Sequence, residues 1–279
     1  MSLYRQGLFD RAVMVAKKAL QVAEQTLGLN HPNVATCLNT LALLYQVQGQ
    51  YTQAEILNKR ALKIREEVLG PEHSDVAQSL NNLVELYLVQ NQNAQVEPLA
   101  KRALAIREKA FGSNHPCVAE SFNNLGVLYE AQGQHSRAEP LFKSALEIWE
   151  QTLGPDHSEV AIGLTNLAMV YRALGHYAQA EPLAKRSLVI KEKALGLDHP
   201  EVASSLHNLA LLYDSQGEYA QAEPLYNRAL ALWEKTLGPS HPHVATCLEN
   251  MAMFYWKTGR PDAVKDSRNR AAAIRAIKR

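Results

Sequence analysis

The chain has 279 residues, of which 47% are hydrophobic, a composition that fits a folded protein and not a disordered one. Its 29 lysines and arginines balance 28 aspartates and glutamates, which argues against nucleic acid as the main partner because phosphate binding needs a concentrated positive surface. No apolar run approaches the roughly 18 residues that span a bilayer, and the first residues lack the apolar stretch of a signal peptide, so we expect no membrane span.

The first 30 residues predict one helix with apolar residues at helical spacing. The same spacing returns later in the chain as the second half of a 42-residue repeat. Only a trace of the first half precedes it, so we expect the chain to begin inside a repeat, as a fragment of a longer array would. The residues that match positions of the later repeats are Leu3, Tyr4, Gly7, Phe9, Ala12, Ala19 and Leu20.

From residue 31 onward the sequence repeats itself every 42 residues, and such a period is typical of stacked repeat proteins. A glycine, a histidine, a Val-Ala pair and a tyrosine all keep this interval, as at Gly70, His73, Val76-Ala77 and Tyr87. We expect one domain, 1–279, built from a partial first repeat, five full repeats, and a last repeat with a C-terminal cap. These segments are 1–30, then 31–72, 73–114, 115–156, 157–198 and 199–240, and finally 241–279.

Each repeat predicts a first helix that begins after its histidine. Proline follows the histidine in most repeats, and proline suits the first helical position because its missing N–H costs nothing there. Apolar residues then recur at helical spacing in a typical repeat, at Val76, Leu80, Leu83 and Tyr87. The helix is expected to end at Asn91, where the other repeats carry glycine.

A second helix follows in each repeat and is expected to end at a glycine such as Gly112. Proline near its start is tolerable there, because a proline deeper in the helix would break the hydrogen-bond ladder. Recurring alanines should let the two helices approach closely; they are Ala54, Ala138, Ala180 and Ala222. One helix pair cannot bury its apolar stripes alone, whereas stacked pairs can.

These residues resemble the tetratricopeptide repeat (TPR) signature, a W-x-x-L-G-x-x-Y segment followed by G-x-[YF]-x-x-A. One repeat matches it at Phe122, Leu125, Gly126, Tyr129, Gly133 and Ala138, with Phe122 in place of the tryptophan. The 42-residue length and the segments "QGxYxxAExL" and "RALxIxEKxLG" are similar to the repeats of kinesin light chains. The resemblance implies an all-α fold, a right-handed superhelical solenoid of antiparallel helix pairs, in which the first helices line a concave groove.

The last repeat departs from the pattern, because Ser267 and Ala272 replace leucines and the segment to Arg279 is rich in lysine and arginine. That composition is typical of a solvated terminal cap, although a truncated repeat would also produce it.

By this resemblance, a column of asparagines lines the concave groove. Because a carboxamide offers two donors and an acceptor, such a column can hold the backbone of an extended peptide. The alternative is that these asparagines bond to the neighbouring repeat and only pack the array. The predicted groove residues are Asn82, Asn124, Asn166, Asn208 and Asn250, with Gln78, Glu85, Glu120, Val127, Met169 and Leu211 beside them.

Three further sets of side chains have a structural interpretation. A second asparagine column, Asn39, Asn81 and Asn123, is expected to pack between repeats, and Trp149 and Trp233 are expected to pack against the next repeat. Charged residues on the second helices could receive an acidic peptide, as kinesin light chain repeats do, but a solvated charged face is the simpler interpretation. The residues concerned are Lys59, Arg60, Lys101, Arg102, Lys185 and Arg186.

Nothing in the sequence predicts catalysis or a bound cofactor. One histidine per repeat leaves the imidazoles roughly 10 Å or more apart, given helix packing distances of about 8–10 Å, and metal sites need converging ligands. The histidines are expected to cap the first helices or fill the turns between repeats. Cys37, Cys117 and Cys247 are widely spaced, so we expect free thiols in a reducing, cytoplasmic compartment.

The sequence therefore predicts a non-catalytic scaffold that binds a peptide segment of a partner protein in its concave groove. Two alternatives remain open. The chain could be a structural spacer or oligomerisation module that associates with itself through its N-terminal end, or a regulatory module of a larger signalling protein. The groove positions hold no cluster of lysine and arginine, which disfavours the TPR class that clamps a chaperone's terminal carboxylate.

Overall fold

The computed structural model describes residues 9–277 of the chain, so the predicted repeat positions Leu3, Tyr4 and Gly7 lie outside the described residues. Within this range the chain forms 13 α-helices and no strand. Helix α1 covers Phe9–Leu27, and the first helices of the following repeats are α2 (Pro32–Val47), α4 (Ser74–Val89), α6 (Pro116–Ala131), α8 (Ser158–Ala173), α10 (Pro200–Gln216) and α12 (Pro242–Lys257). The second helices are α3 (Tyr51–Leu69), α5 (Asn93–Phe111), α7 (His135–Leu153), α9 (Tyr177–Leu195), α11 (Tyr219–Leu237) and α13 (Pro261–Ile277). The all-α repeat array predicted from the sequence is confirmed.

The repeated histidines cap the first helices. In each repeat the imidazole Nδ1 accepts a hydrogen bond from the backbone N–H two residues later, over 3.1–3.2 Å. This bond satisfies one of the N–H groups that lack a partner in the first turn of a helix. Of the two roles expected for these histidines, the structure shows the cap, at His31, His73, His115, His157, His199 and His241.

The turn between the two helices of a repeat requires a left-handed backbone. Gly133, for example, has φ +71°, and the equivalent residue in the second full repeat is Asn91, with φ +55°. Asn91 is the only non-glycine residue with positive φ among the described residues. Asparagine adopts this conformation more readily than other non-glycine residues do, so the repeat keeps its turn there.

The prolines of the second helices lie further inside than the sequence suggested. Helix α5 begins at Asn93, so Pro98 is its sixth residue, and the same is true of Pro140, Pro182 and Pro224 in their helices. A proline at this depth cannot donate to the carbonyl four residues earlier. The helices nevertheless continue, and the prolines are exposed to solvent, where water can bind the carbonyl that lacks a partner.

The chain divides into two compact units, the first ending at Ile148 and the second beginning at Trp149. In the first unit α2 packs on α3 and α4 on α5, and each second helix also contacts the first helix of the next repeat. The second unit repeats this arrangement with α8 to α13. The predicted core residues Val76, Leu80, Leu83 and Tyr87 are buried, as are the four small alanines of the second helices.

Candidate functional site

In the first unit, the polar faces of α2 and α4 enclose a cleft of about 300 Å³, with α3 contributing to its wall. Helix α4 supplies Gln78, Asn82 and Glu85, three of the predicted groove residues. They meet in one place because residues four and seven apart share a face of a helix. The other residues of the cleft are Thr36, Asn39, Thr40, Leu43 and Gln46 of α2, and Asn58 and Arg65 of α3.

Two of these α4 side chains differ in how firmly they are held. The Nε2 of Gln78 donates to Asn82 Oδ1 at 3.2 Å, and its Oε1 accepts from Arg107 Nη2 at 3.1 Å. Gln78 is therefore fixed at both ends. Asn82 is half-buried, and its contact with Gln78 uses only its oxygen, so its two N–H donors can serve a ligand.

In the next repeat the predicted groove residues are more deeply packed. Asn124 is buried, with 7% of its surface exposed. Glu120 is partly exposed but accepts from Asn81 Nδ2 at 3.2 Å and lies 3.2 Å from the guanidinium of Arg107. Val127 is half-buried. These three side chains lie on α6, where Asn124 is more deeply buried than Asn82 and Glu120 is held by Asn81 and Arg107.

The second unit carries the rest of the predicted column on α8, α10 and α12, where Asn166 and Leu211 are half-buried. The Nδ2 of Asn208 lies 3.9 Å from the sulfur of Met169 in the preceding repeat. The Nδ2 of Asn250 lies 3.0 Å from Nε2 of His207, also in the preceding repeat. Asn208 and Asn250 therefore make the cross-repeat contacts that the packing alternative predicts.

The second asparagine column also makes contacts between repeats. Asn39 donates from Nδ2 to Ser79 Oγ at 3.3 Å, and Asn81 donates to Glu120 of the following repeat. Later in the chain this column holds His207, which is buried against the rings of Tyr226 and Trp233. Burial lowers the pKa of His207 to about 4, and the nearby positive charges of His243 and Arg172 act in the same direction.

The charged face of the second helices is occupied by ion pairs. Each of the six basic residues considered as receptors for an acidic peptide contacts a glutamate. The pairs are Lys59–Glu55, Arg60–Glu24, Lys101–Glu97, Arg102–Glu66, Lys185–Glu181 and Arg186–Glu150. These contacts favour the interpretation of a solvated charged face, because a ligand would have to replace existing partners.

The tryptophans are buried, as expected from a packing role. Trp149 and Trp233 have 2% and 3% of their surface exposed. The Trp233 ring stacks on His243 of the next first helix, with ring centres 5.3 Å apart and an angle of 21° between the planes. Trp149 and Trp233 therefore contribute to the core and have no open face for a ligand.

Sequence reasoning missed six residues of the cleft, namely Thr36, Thr40, Leu43, Gln46, Asn58 and Arg65. The first three occupy the same repeat positions as Gln78, Asn82 and Glu85, so extending the predicted columns back by one repeat would have found them. Asn58 is different, because its position holds Ala100, Phe142, Ala184 and Tyr226 elsewhere. A lone amide in a mostly apolar column was the available signal.

Three features bear on other classes of function. Among residues 9–277, no group of three or more histidine, cysteine, aspartate or glutamate side chains is placed to hold a metal ion. None of the helices in the described part of the chain is long and apolar enough to cross a membrane. The three cysteines are free.

Comparison with solved structures identifies similar folds. The crystal structure of BtubC (BKLC) from P. vanneervenii has a TM-score of 0.67 at 22% identity, covering 82% of this chain and 92% of that one. A putative kinesin light chain of Podosopora anserina with nearly identical TPR-like repeats has a TM-score of 0.60 at 29% identity, covering 74% and 98%. A Rap protein complexed with competence and sporulation factor has a TM-score of 0.62 at 17% identity, covering 97% and 86%.

Comparison of sequences gives the family. No curated protein matches the chain significantly. The sequence model of the tetratricopeptide repeat family matches six overlapping segments, 1–67, 38–109, 75–151, 118–193, 159–235 and 201–276. Proteins built from this repeat generally act as non-catalytic scaffolds for protein interaction. Because the matches span nearly all of its sequence, the chain belongs to the tetratricopeptide repeat family.

Proposed function

We propose that this protein is a non-catalytic scaffold that holds an extended segment of a partner protein along the polar face of its first helices. The observation that carries the proposal is the cleft between α2 and α4, where Gln78, Asn82 and Glu85 meet the equivalent residues of α2. A concave site lined by several side-chain donors and acceptors suits a peptide, whose backbone presents both kinds of group.

Apolar side chains continue the same face beyond the cleft. Val47 on α2 and Val89 on α4 are exposed, as is Leu43 within the cleft. In the second unit the column of Met169 and Leu211 leads to Met253, which is 60% exposed. Polar positions that hold a backbone and apolar positions that accept side chains give both affinity and selectivity for a peptide.

The proposal can be tested with peptides selected from a phage-displayed random library on the whole chain. The affinity of a selected peptide is then measured by calorimetry for the wild type and for Asn82→Ala and Glu85→Ala. We expect each substitution to weaken binding about twofold to tenfold, since a hydrogen bond contributes about 0.5–1.5 kcal/mol. The matched control is Asn227→Ala, because Asn227 is an exposed asparagine on a second helix.

If the peptides bind both cleft variants as tightly as the wild type, the groove assignment is wrong. Equal weakening by Asn227→Ala would show that the second helices carry the binding surface. A library that yields no binding peptide would count against the scaffold function itself. Circular dichroism of each variant establishes that the helical content is unchanged.

Self-association is a second candidate function, favoured by exposed apolar residues on α1. Met14, Val15 and Val22 are each about half exposed or more, and such side chains clustered on one helix face are typical of an interaction surface. Light scattering over a hundredfold range of concentration tests it. A constant monomer mass would rule it out, whereas a mass that rises in the wild type and not in Val15→Lys would support it.

A further inference from the structure

Asn58 is a buried amide that the fold leaves without partners. It lies on α3, and only 2% of its surface is exposed. Its side chain forms no hydrogen bond with any described residue, and its Oδ1 is fully buried. A buried polar group normally has a hydrogen-bond partner, because desolvation without one is costly. Asn58 therefore needs an explanation other than packing.

Packing of the repeat does not require an amide at this position. Four other second helices carry Ala100, Phe142, Ala184 and Tyr226 in the same place, all of them buried, whereas α13 carries the exposed Arg268. Asn58 is thus a feature of this cleft and is not part of the packing that the repeats share.

Two more unused polar atoms border the same cleft. Asn39 uses its Nδ2 on Ser79 and leaves Oδ1 buried without a partner. Arg65 donates from its two terminal nitrogens to the Asp75 carbonyl and to the hydroxyls of Ser79 and Thr36, and its Nε is left without a partner. Three residues that line the cleft therefore each hold one buried polar atom without a partner, namely the two amide oxygens of Asn39 and Asn58 and the Nε–H donor of Arg65.

The charges of the cleft favour a neutral ligand group. Arg65 and Glu85 are its ionisable side chains, one of each sign. A carboxylate has no donor for the oxygens of Asn39 and Asn58, and an ammonium group has no acceptor for Nε of Arg65. A carboxamide has two donors and an acceptor, so it can meet both kinds of unused atom.

We infer that the cleft between α2 and α4 binds a carboxamide side chain, that of asparagine or glutamine, from the partner segment. The inference rests on the proposed function and names the side chain that this part of the groove selects. Rotation of the Asn58 side chain about its last torsion, which is soft in asparagine, turns its buried oxygen towards the ligand. The amide of Asn58 and the carboxamide of the ligand can then each donate one hydrogen bond to the other and accept one from it.

The test uses the whole chain and three probes of one shape, propionamide, propionate and propylammonium. Each is titrated into isotope-labelled protein while the side-chain N–H signals of Asn58, Asn39 and Asn82 are followed by NMR. Asn58→Ala assigns the Asn58 signal and serves as the variant without the amide. Alanine already occupies this place in α5 and α9, at Ala100 and Ala184, so the variant is expected to fold.

We expect propionamide to cause saturable shifts in the wild type, with an affinity at least tenfold above that of either charged probe and reduced at least tenfold in Asn58→Ala. Tighter binding of propionate or propylammonium, unchanged propionamide binding in Asn58→Ala, or the lack of any saturable shift would overturn the inference. The comparison of probes in the wild type does not depend on the variant. Peptides that bind the groove with no preference for asparagine or glutamine would overturn it and leave the scaffold function intact.

Discussion

The Arg107 guanidinium donates to the hydroxyl oxygen of Ser121 at 3.0 Å, across the junction between one repeat and the next. The same nitrogen donates to the carbonyl oxygen of Cys117 at 2.7 Å. The second terminal nitrogen reaches Gln78 at 3.1 Å and lies 3.2 Å from Glu120. Because Arg107 is 1% exposed, one buried cation joins α4, α5 and α6.

Removing this guanidinium should destabilise the first unit. Arg107→Ala removes the buried guanidinium that donates to Ser121, Cys117 and Gln78, and we expect a loss of about 3 kcal/mol in the free energy of unfolding. Urea unfolding followed by circular dichroism measures it. Lys109→Ala, two residues away and exposed, is the control and should change stability by less than about 0.5 kcal/mol. Equal effects of the two would show that the contacts of Arg107 contribute little.

An arginine should stabilise the second unit at the equivalent position, Lys191. Lys191 is buried with its Nζ 3.9 Å from Glu201, and burial lowers its pKa. The Ser205 hydroxyl, the counterpart of Ser121, is buried without a partner. Lys191→Arg can supply the missing donor, with an expected gain of about 1 kcal/mol.

The control for this substitution is Lys193→Arg, at an exposed lysine on the same helix. Urea unfolding of the two variants should separate them. If Lys191→Arg is no more stable than the wild type, the geometry seen at Arg65 and Arg107 does not carry over to the second unit.

Gly126 and Phe142 are expected to depend on each other. A Cβ atom at Gly126 would lie 2.6–2.8 Å from the ring of Phe142, which is closer than van der Waals contact. Gly126→Ala should therefore cost about 1–3 kcal/mol. In two other repeats the equivalent residues are Val84 with Ala100 and Ala168 with Ala184, so we expect a small residue at position 142 to remove the clash.

A double-mutant cycle tests this dependence. Phe142→Ala creates a cavity by itself and is destabilising, but adding Gly126→Ala to it should then cost little or improve stability. Additive effects of the two substitutions in thermal or urea unfolding would refute the predicted coupling.

The second unit should lose stability in mild acid because of His207. The folded state lowers the pKa of His207 from 6.5 to about 4, so the unfolded chain binds the proton first. Stability is therefore full above about pH 6.5 and falls as the pH drops towards 4, by up to about 3 kcal/mol from this group. Urea midpoints measured between pH 7 and pH 4 follow the change.

His207→Asn is the comparison, because asparagine occupies the same position at Asn39, Asn81 and Asn123. The variant loses ring contacts with Tyr226 and Trp233, so its stability at pH 7 is expected to be lower. The informative quantity is the slope of the free energy of unfolding against pH. This slope should be shallower in the variant, because the variant lacks the contribution of His207. Parallel slopes would show that other groups cause the acid sensitivity.

The sequence by itself determined the local architecture. The start of each first helix follows from its His-Pro or His-Ser pair. The turn between the two helices follows from a residue that tolerates positive φ. The buried stripe follows from apolar residues such as Leu80 and Leu83 at helical spacing. Each of these depends on neighbours within a few residues of the chain. The 42-residue period then fixed the repeat and its family, because the same local rules recur in every unit.

The tertiary structure decided which of the repeated polar residues are free to bind. Asn82 and Asn250 occupy the same place in the repeat, yet Asn250 contacts His207 of the preceding repeat whereas Asn82 borders an open cleft. Asn58 stands out in the sequence as a lone amide in its repeat position, but only the packing of α2, α3 and α4 brings it to this site. Hydrogen bonds between side chains about 40 residues apart depend on how neighbouring repeats stack, and a local pattern cannot encode that geometry.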